Sequence, residues 1–316
     1  MKKIIFYLTI LFFTSCSSDN TSNDTNEEIE IEANNEEENQ EEQEEPTDDI
    51  PTVAIGKWID KTYRLDNTDL VLSDSLEIIL EDNRMQSFSG LSSMNLNPRE
   101  VRGEIEYVND KIYRFELFID NISAERSLYS YVNGLLSEVK SRDLESFPSE
   151  YSYTKMEFEN DQDAVLVKIF SSDDDETYEL TESSKIVLNQ HNNRVLYESG
   201  ENVMTYDYDD NQNIVKISND ISSHEYTYSD IINTEAIIYE ATFGKRTNML
   251  LGNGSLLGFV KTLNKNVFRT GTKISGPNNF NLTVNIEEAN EGGYLTKLSY
   301  YNSDANSENQ SEFMFN

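Results

Sequence analysis

Few side chains in this sequence are suited to chemistry, and their spacing decides what each can do. Cys16 is the single cysteine, so no disulfide can form within the chain and its thiol is left for modification. His191, in the run NQHNN, and His224, in SSHEYTY, are the two histidines. Neither has a second metal ligand at a short fixed spacing, so no zinc site is expected and no cofactor is assigned. Asp207, Asp209 and Asn211 match the first three ligand positions of a calcium loop. Gln212 then stands where that loop needs glycine and Ser218 where it needs glutamate, which favours a solvated hairpin turn. No Gly-x-Ser-x-Gly elbow occurs, and 59 Asp and Glu make chance carboxylate pairs too common to mark a glycosidase. No catalytic residue is assigned.

The remaining candidates are Tyr206 and Tyr208. Met204, Tyr206 and Tyr208 alternate with Thr205, Asp207 and Asp209, the period of two of a half-buried strand. Asp209–Asn213 supplies turn residues, and Ile214–Ile217 returns as a β-branched strand carrying Lys216. If one side of the sheet is covered, the tyrosines should be the covered set, because burying an aspartate unpaired costs at least what an aromatic gains. The opposite arrangement would make Tyr206 and Tyr208 an exposed binding face for a glycan or a protein ligand.

The same grammar recurs in Tyr107–Phe115, Tyr129–Lys140, Met156–Ile169 and Val284–Leu298. Each copy has an aromatic or β-branched strand, a turn of Asn, Asp or Gly, and a return strand with Arg114, Lys140, Lys168 or Lys297. Gaps of 26 and 28 residues between the first three cations suggest a repeat of about 27 residues, with later copies degenerate or carrying insertions. The cations either line one sheet face as a functional row or keep exposed strands soluble and offset acidic turns. No helical period of 10–15 residues intervenes between Ser127 and Ile232, so the expected class is all-β. The architecture is an antiparallel meander of hairpins, forming a sandwich or an open or closed barrel-like sheet. Ser229–Pro277 breaks the rhythm with six glycines and an apolar run. Thr234–Thr242 suits a short helix or a strand, and the stretch could plug the end of the sheet or expose a binding patch.

The N-terminus sets the location. Lys2 and Lys3 precede an apolar run, Ile4–Phe13, interrupted once by Thr9 and about half the ~20 residues a spanning helix needs. Residues 1–15 read as a signal peptide. Residues 16–52 read as a lipid-anchored linker, in which Ser17–Thr52 holds fifteen acidic residues and no Lys or Arg and should stay extended and disordered. A β-rich domain follows over residues 53–316, either whole or split into subdomains 53–125 and 126–316. The formal charge of the chain is -34, an acidic surface that no Lys/Arg cluster is expected to interrupt, so nucleic acid is not an expected partner.

Three resemblances add to this. Phe13-Thr14-Ser15-Cys16 resembles a bacterial lipobox, which implies cleavage before Cys16, acylation of its thiol and attachment to the membrane through that lipid. Phe13 stands where such boxes usually carry Leu or Val. Gly56-Lys57-Trp58 resembles the G-x-W opening of lipocalin-like barrels. The tyrosine–turn–lysine grammar of Glu104–Asn316 resembles Bacteroidetes-type envelope lipoproteins with YD-type β-hairpin repeats, a family with no catalytic residues to transfer. These resemblances imply an outer-membrane lipoprotein at the cell surface or on the periplasmic face, acting as a non-catalytic binding or structural module. The alternative is a secreted-type hydrolase, for example a carbohydrate-active one, with its acidic residues hidden among the 59.

Overall fold

The computed structural model describes residues 53–66, 69–94, 97–146, 150–251, 264–275, 281–302 and 307–316. The first strands are β1 (Ile55–Asp66), β2 (Asp69–Glu81), β3 (Arg84–Met94), β4 (Asn97–Val108), β5 (Lys111–Ile119) and β6 (Ile122–Val132). Next come β7 (Leu135–Ser146), β8 (Glu150–Asp161), β9 (Ala164–Ser172), β10 (Glu179–Leu188), β11 (Arg194–Ser199) and β12 (Asn202–Tyr208). After β13 (Ile214–Ser218) and β14 (Ser223–Ile232) stand two helices, α1 (Thr234–Phe243) and α2 (Lys245–Leu251). The chain ends with β15 (Asn266–Ser275), β16 (Asn281–Ala289), β17 (Leu295–Asn302) and β18 (Ser307–Phe315).

Each strand pairs antiparallel with the next, and β18 returns to β1 with Phe313 opposite Trp58. The meander therefore closes into an eighteen-stranded barrel, which decides between the sandwich and the barrel and leaves the sheet no free edge. Trp58 does not open a small lipocalin-like barrel. It stacks on Phe313 with centroids 5.6 Å apart and meets Tyr239 of α1 edge-on at 6.2 Å.

One feature of the wall recurs hairpin by hairpin. Between β4 and β5, Glu106 faces Arg114 but Tyr107 faces Ile112, so Tyr113 is an extra residue. Ser137 of β7 and Val215 of β13 are extra in the same way. Such a bulge lets two residues oppose one and re-aims the chain. Each return strand thus buries residues three apart: Ile112 and Phe115, Leu136 and Val139, Ile214 and Ile217. A tyrosine of the outgoing strand also turns inward. Tyr107, Tyr208 and Tyr228 donate their hydroxyls to the carbonyls of Met85, Arg194 and Ile214, each at 2.7 Å. The tight turns beneath the first two of these bulges carry Asn109-Asp110 and Asn133-Gly134 at positive φ, the twist-matched hairpin geometry.

The helices sit at this same end. Thr242 of α1 accepts a hydrogen bond from the backbone N–H of Met85 (3.1 Å), and Thr234 donates to the carbonyl of Leu295 (2.6 Å). Arg246 of α2 reaches Asn160 and Asn192 beside two hairpin turns, and Lys245 reaches Gln212 in a third. Ile238, Tyr239, Phe243, Met249 and Leu250 join the inward side chains of the strands in one continuous apolar cluster. The stretch expected as a plug within Ser229–Pro277 holds the helices α1 and α2; residues 252–263 lie outside the described residues.

Candidate functional site

Tyr206 and Tyr208 belong to the interior. Tyr206 is 5% exposed while Asp207 beside it is exposed, as the period of two requires. Burial raises the ionisation of the Tyr206 hydroxyl above its ordinary range, a rise that the neighbouring Arg194 opposes. Asp209 is a turn anchor: its carboxylate accepts the N–H groups of Asn211 (3.0 Å) and Asn213 (2.8 Å). Asp207 is exposed on β12. Asn189 and Asn290 hold their turns with the same two bonds, to His191 and Asn193 and to Gly292 and Tyr294. His191 is thus part of a turn, and His224 stands on β14 opposite Ile217. Cys16 and the acidic tract to Thr52 lie outside the described residues.

The outer wall carries the charge. Lys57 pairs with Glu77 and Lys297 with Glu287, both at 2.9 Å, and Arg114 and Lys168 hold Glu106 and Glu159 on the same surface. The repeating cations Arg114, Lys168, Lys216 and Lys297 lie on β5, β9, β13 and β17, and Lys140 lies on β7. A repeat of about 27 residues is therefore a pair of strands with its two turns. The gap of 48 between Lys168 and Lys216 spans two such pairs, and the helices widen the last gap. Exposed pairs of this kind contribute about 0–1 kcal/mol each.

Over β6–β8 the register assembles cations that are scattered in sequence. Arg126 stands directly opposite Arg142, and in the next outward row Lys140 stands directly opposite Lys155. Like charges at directly paired positions are destabilising. Two carboxylates reach this grid from its margins: Glu116 meets Arg126 at 2.8 Å, and Glu157 meets Lys155 at 2.7 Å. Burial works to raise the Glu116 carboxyl, but hydrogen bonds from Arg126 and Ser123 outweigh it and hold the group below its ordinary range. Arg142 donates to Ser123 at 3.2 Å. One side of the grid is aromatic. Lys155 lies 4.5 Å from the Phe170 ring centre and 5.1 Å from that of Tyr178, and Lys140 lies 5.9 Å from Tyr178. The loop bearing Tyr178 is fixed by Asp174, which accepts the N–H groups of Glu176 and Thr177 at 2.9 Å. On the other side a shallow groove runs along Ser89, Leu91, Arg102 and Phe118, with Arg102 4.0 Å above the Phe118 ring.

This cluster corrects the expectation of an uninterrupted acidic surface. The signal was present in the register: folding β6 and β7 about Asn133-Gly134, with the one-residue bulge, brings Arg126 against Arg142.

On the inner face, Glu125 stands opposite Asp143. Burial, then the charge of Asp143, push the Glu125 carboxyl well above its ordinary range, against a hydrogen bond from Ser127. Tyr129 and the bonded pair Ser127 and Ser141 (2.8 Å) complete this enclosed polar spot.

No protein family matches the chain, and no curated protein does. Among solved structures, a porin-like protein from Bacteroides uniformis aligns over 83% of this chain and 98% of its own, at 9% identity and a TM-score of 0.42. A second porin-like protein, from Bacteroides vulgatus, aligns over 81% and 97%, at 10% identity and a TM-score of 0.35.

Proposed function

We propose that this chain is a lipid-anchored protein of the outer membrane whose barrel is a non-catalytic binding module standing in water. The supporting observation is the polarity of the wall. A barrel that crosses a bilayer turns an apolar band about 25 Å tall outward and keeps its interior polar. Here Trp58, Phe88, Phe115, Tyr206 and Phe313 face inward, while Arg102, Arg126, Lys140, Lys155, Lys216 and Lys297 face outward. Each Lys or Arg at the bilayer midplane would cost about 2–4 kcal/mol. Attachment therefore falls to acyl chains on Cys16, with the acidic stretch up to Thr52 as spacer. Two acyl chains or more suffice for stable anchoring, since each buried CH₂ contributes about 0.8 kcal/mol.

The binding surface is the outer wall over β6–β9, where charge and aromatic surface lie side by side. The Glu125–Asp143 pair does not favour a hydrolase, because it faces the enclosed side of the wall. Anchoring is tested with Cys16→Ala in cells. The variant should lose the acyl label and leave the membrane fraction, and one that still sediments with the membrane would refute attachment through Cys16.

A further inference from the structure

Two acids stand side by side on the inner face of β6–β7, in rows without Lys or Arg. Glu125 is directly opposite Asp143, and the inward positions beside them are Leu117 on β5 and Ser152 on β8. The next inward row is Phe115, Ser127, Ser141 and Thr154. The outer wall differs, since Glu116 there meets Arg126 and Glu157 meets Lys155. Like charges at directly paired positions cost stability. A second observation lies in the oxygens around the pair. Glu125 Oε1 is enclosed and has no hydrogen-bond partner among the described residues. Tyr129, two positions past Ser127 on the same face, is 2% exposed, and its hydroxyl has no such partner either. Burial, then the charge of Glu125, raise the ionisation of that hydroxyl, so it lies within reach of the acid pair. Enclosed polar atoms left unfilled are costly. Protonating Glu125 relieves the repulsion but leaves both oxygens unfilled, whereas a bound cation satisfies the charge and the oxygens together.

We propose that this spot binds a calcium ion between Glu125 and Asp143, with the hydroxyl oxygens of Ser127 and Tyr129 as further ligands and water completing the shell. Every donor in the set is an oxygen, which suits a hard cation and not zinc or copper. Carboxylates and hydroxyls spread over two strands make an irregular set. Calcium accepts such sets, taking roughly 6–8 oxygens in flexible geometry, whereas magnesium demands a near-ideal octahedron and gives up its waters reluctantly. Two carboxylates are few charges for such a site, so the affinity belongs to the weak class, about 10⁻⁴–10⁻³ M. Glu125 and Asp143 are half-buried, and they lie toward the start of β6 and the end of β7, away from the end that the helices occupy. Solvent therefore reaches the acids, while Ser127, Ser141 and Tyr129 are closed behind them. The inference does not depend on the outer wall being a binding surface.

The test uses the full-length Cys16→Ala chain, freed of metal with a chelator, and its Glu125→Gln, Asp143→Asn and Asp207→Ala derivatives. Thermal midpoints are measured at pH 8 against rising calcium chloride, with magnesium chloride and sodium chloride of matched ionic strength as controls. A ligand that binds only the folded state raises the midpoint with its concentration. The parent midpoint should rise with calcium, far less with magnesium, and not with sodium. Glu125→Gln and Asp143→Asn keep the shape of the side chain, and each should need about tenfold more calcium, or more, for the same rise. Two such variants are used so that one that folds is enough. Asp207→Ala, which removes an exposed acid elsewhere on the barrel, should respond as the parent does. All four proteins keep the acidic stretch 17–52, so calcium held there cannot separate them. An equal rise in the parent and in Glu125→Gln or Asp143→Asn would overturn the site. No rise in the parent, or an equal rise with magnesium, would overturn calcium as the ligand.

Discussion

Arg194, the first residue of β11, donates its guanidinium to the carbonyl oxygen of Met249 near the end of α2, with Leu250 also in reach. The side chain is 1% exposed. A helix leaves its last carbonyls without partners, and here a strand residue supplies the donor. The contact ties the plug to the wall, and Tyr208 completes it from the next strand by donating to the carbonyl of Arg194 itself.

Arg194→Met should therefore lower stability by about 3 kcal/mol, because buried carbonyls at the helix end lose a charged donor. The measurement is denaturant unfolding at neutral pH. A loss below about 0.5 kcal/mol would mean that the helix end has other partners.

Tyr208→Phe and Tyr228→Phe should each cost about 1 kcal/mol, the usual net contribution of a buried hydrogen bond. Asp207→Ala, on the solvent side of the same strand, should be near neutral. Equal effects of Tyr208→Phe and Asp207→Ala in thermal unfolding would contradict the hydroxyl bonds described here.

These tyrosines show how far the sequence could be read. The alternation Met204, Tyr206, Tyr208 identified the inner face of β12 directly, and the Asx-rich run after it located the turn. The next strand did not obey the same rule. In Ile214-Val215-Lys216-Ile217 the buried residues are three apart, because the bulge at Val215 resets the pleat. An apolar residue, two intervening positions and a second apolar residue just after a turn is the mark of that bulge, and a strict period of two hides it. Closure was not legible either, since Trp58 and Phe313 are paired across almost the whole chain. The cation grid needed the register of three strands at once, and no window of the sequence contains it. The helices were half legible: Thr234–Thr242 has an apolar pattern that fits either structure, and the packing of Tyr239 against Trp58 decides it.

Glu125 should make stability depend on pH with a definite sign. Its carboxyl is held well above the ordinary value of 4.5 by burial and then by Asp143. As pH rises past that value the unfolded chain releases the proton while the folded chain keeps it, so stability falls with rising pH. Glu125→Gln removes the charge and keeps hydrogen-bonding capacity. Thermal midpoints of the two proteins should coincide near pH 4, and the variant should be the more stable at pH 8. A wild type that gains on the variant as pH rises would contradict the raised, enclosed carboxyl.

A wall turned with its apolar side in and its ions out, as proposed above, leaves the barrel in water and should form no pore. The most direct measurement adds purified full-length Cys16→Ala protein, without detergent, to a planar lipid bilayer and to a sizing column. A monodisperse soluble species is expected, with no conductance above the bare membrane. Stepwise channel openings, or a protein kept in solution by detergent alone, would contradict it.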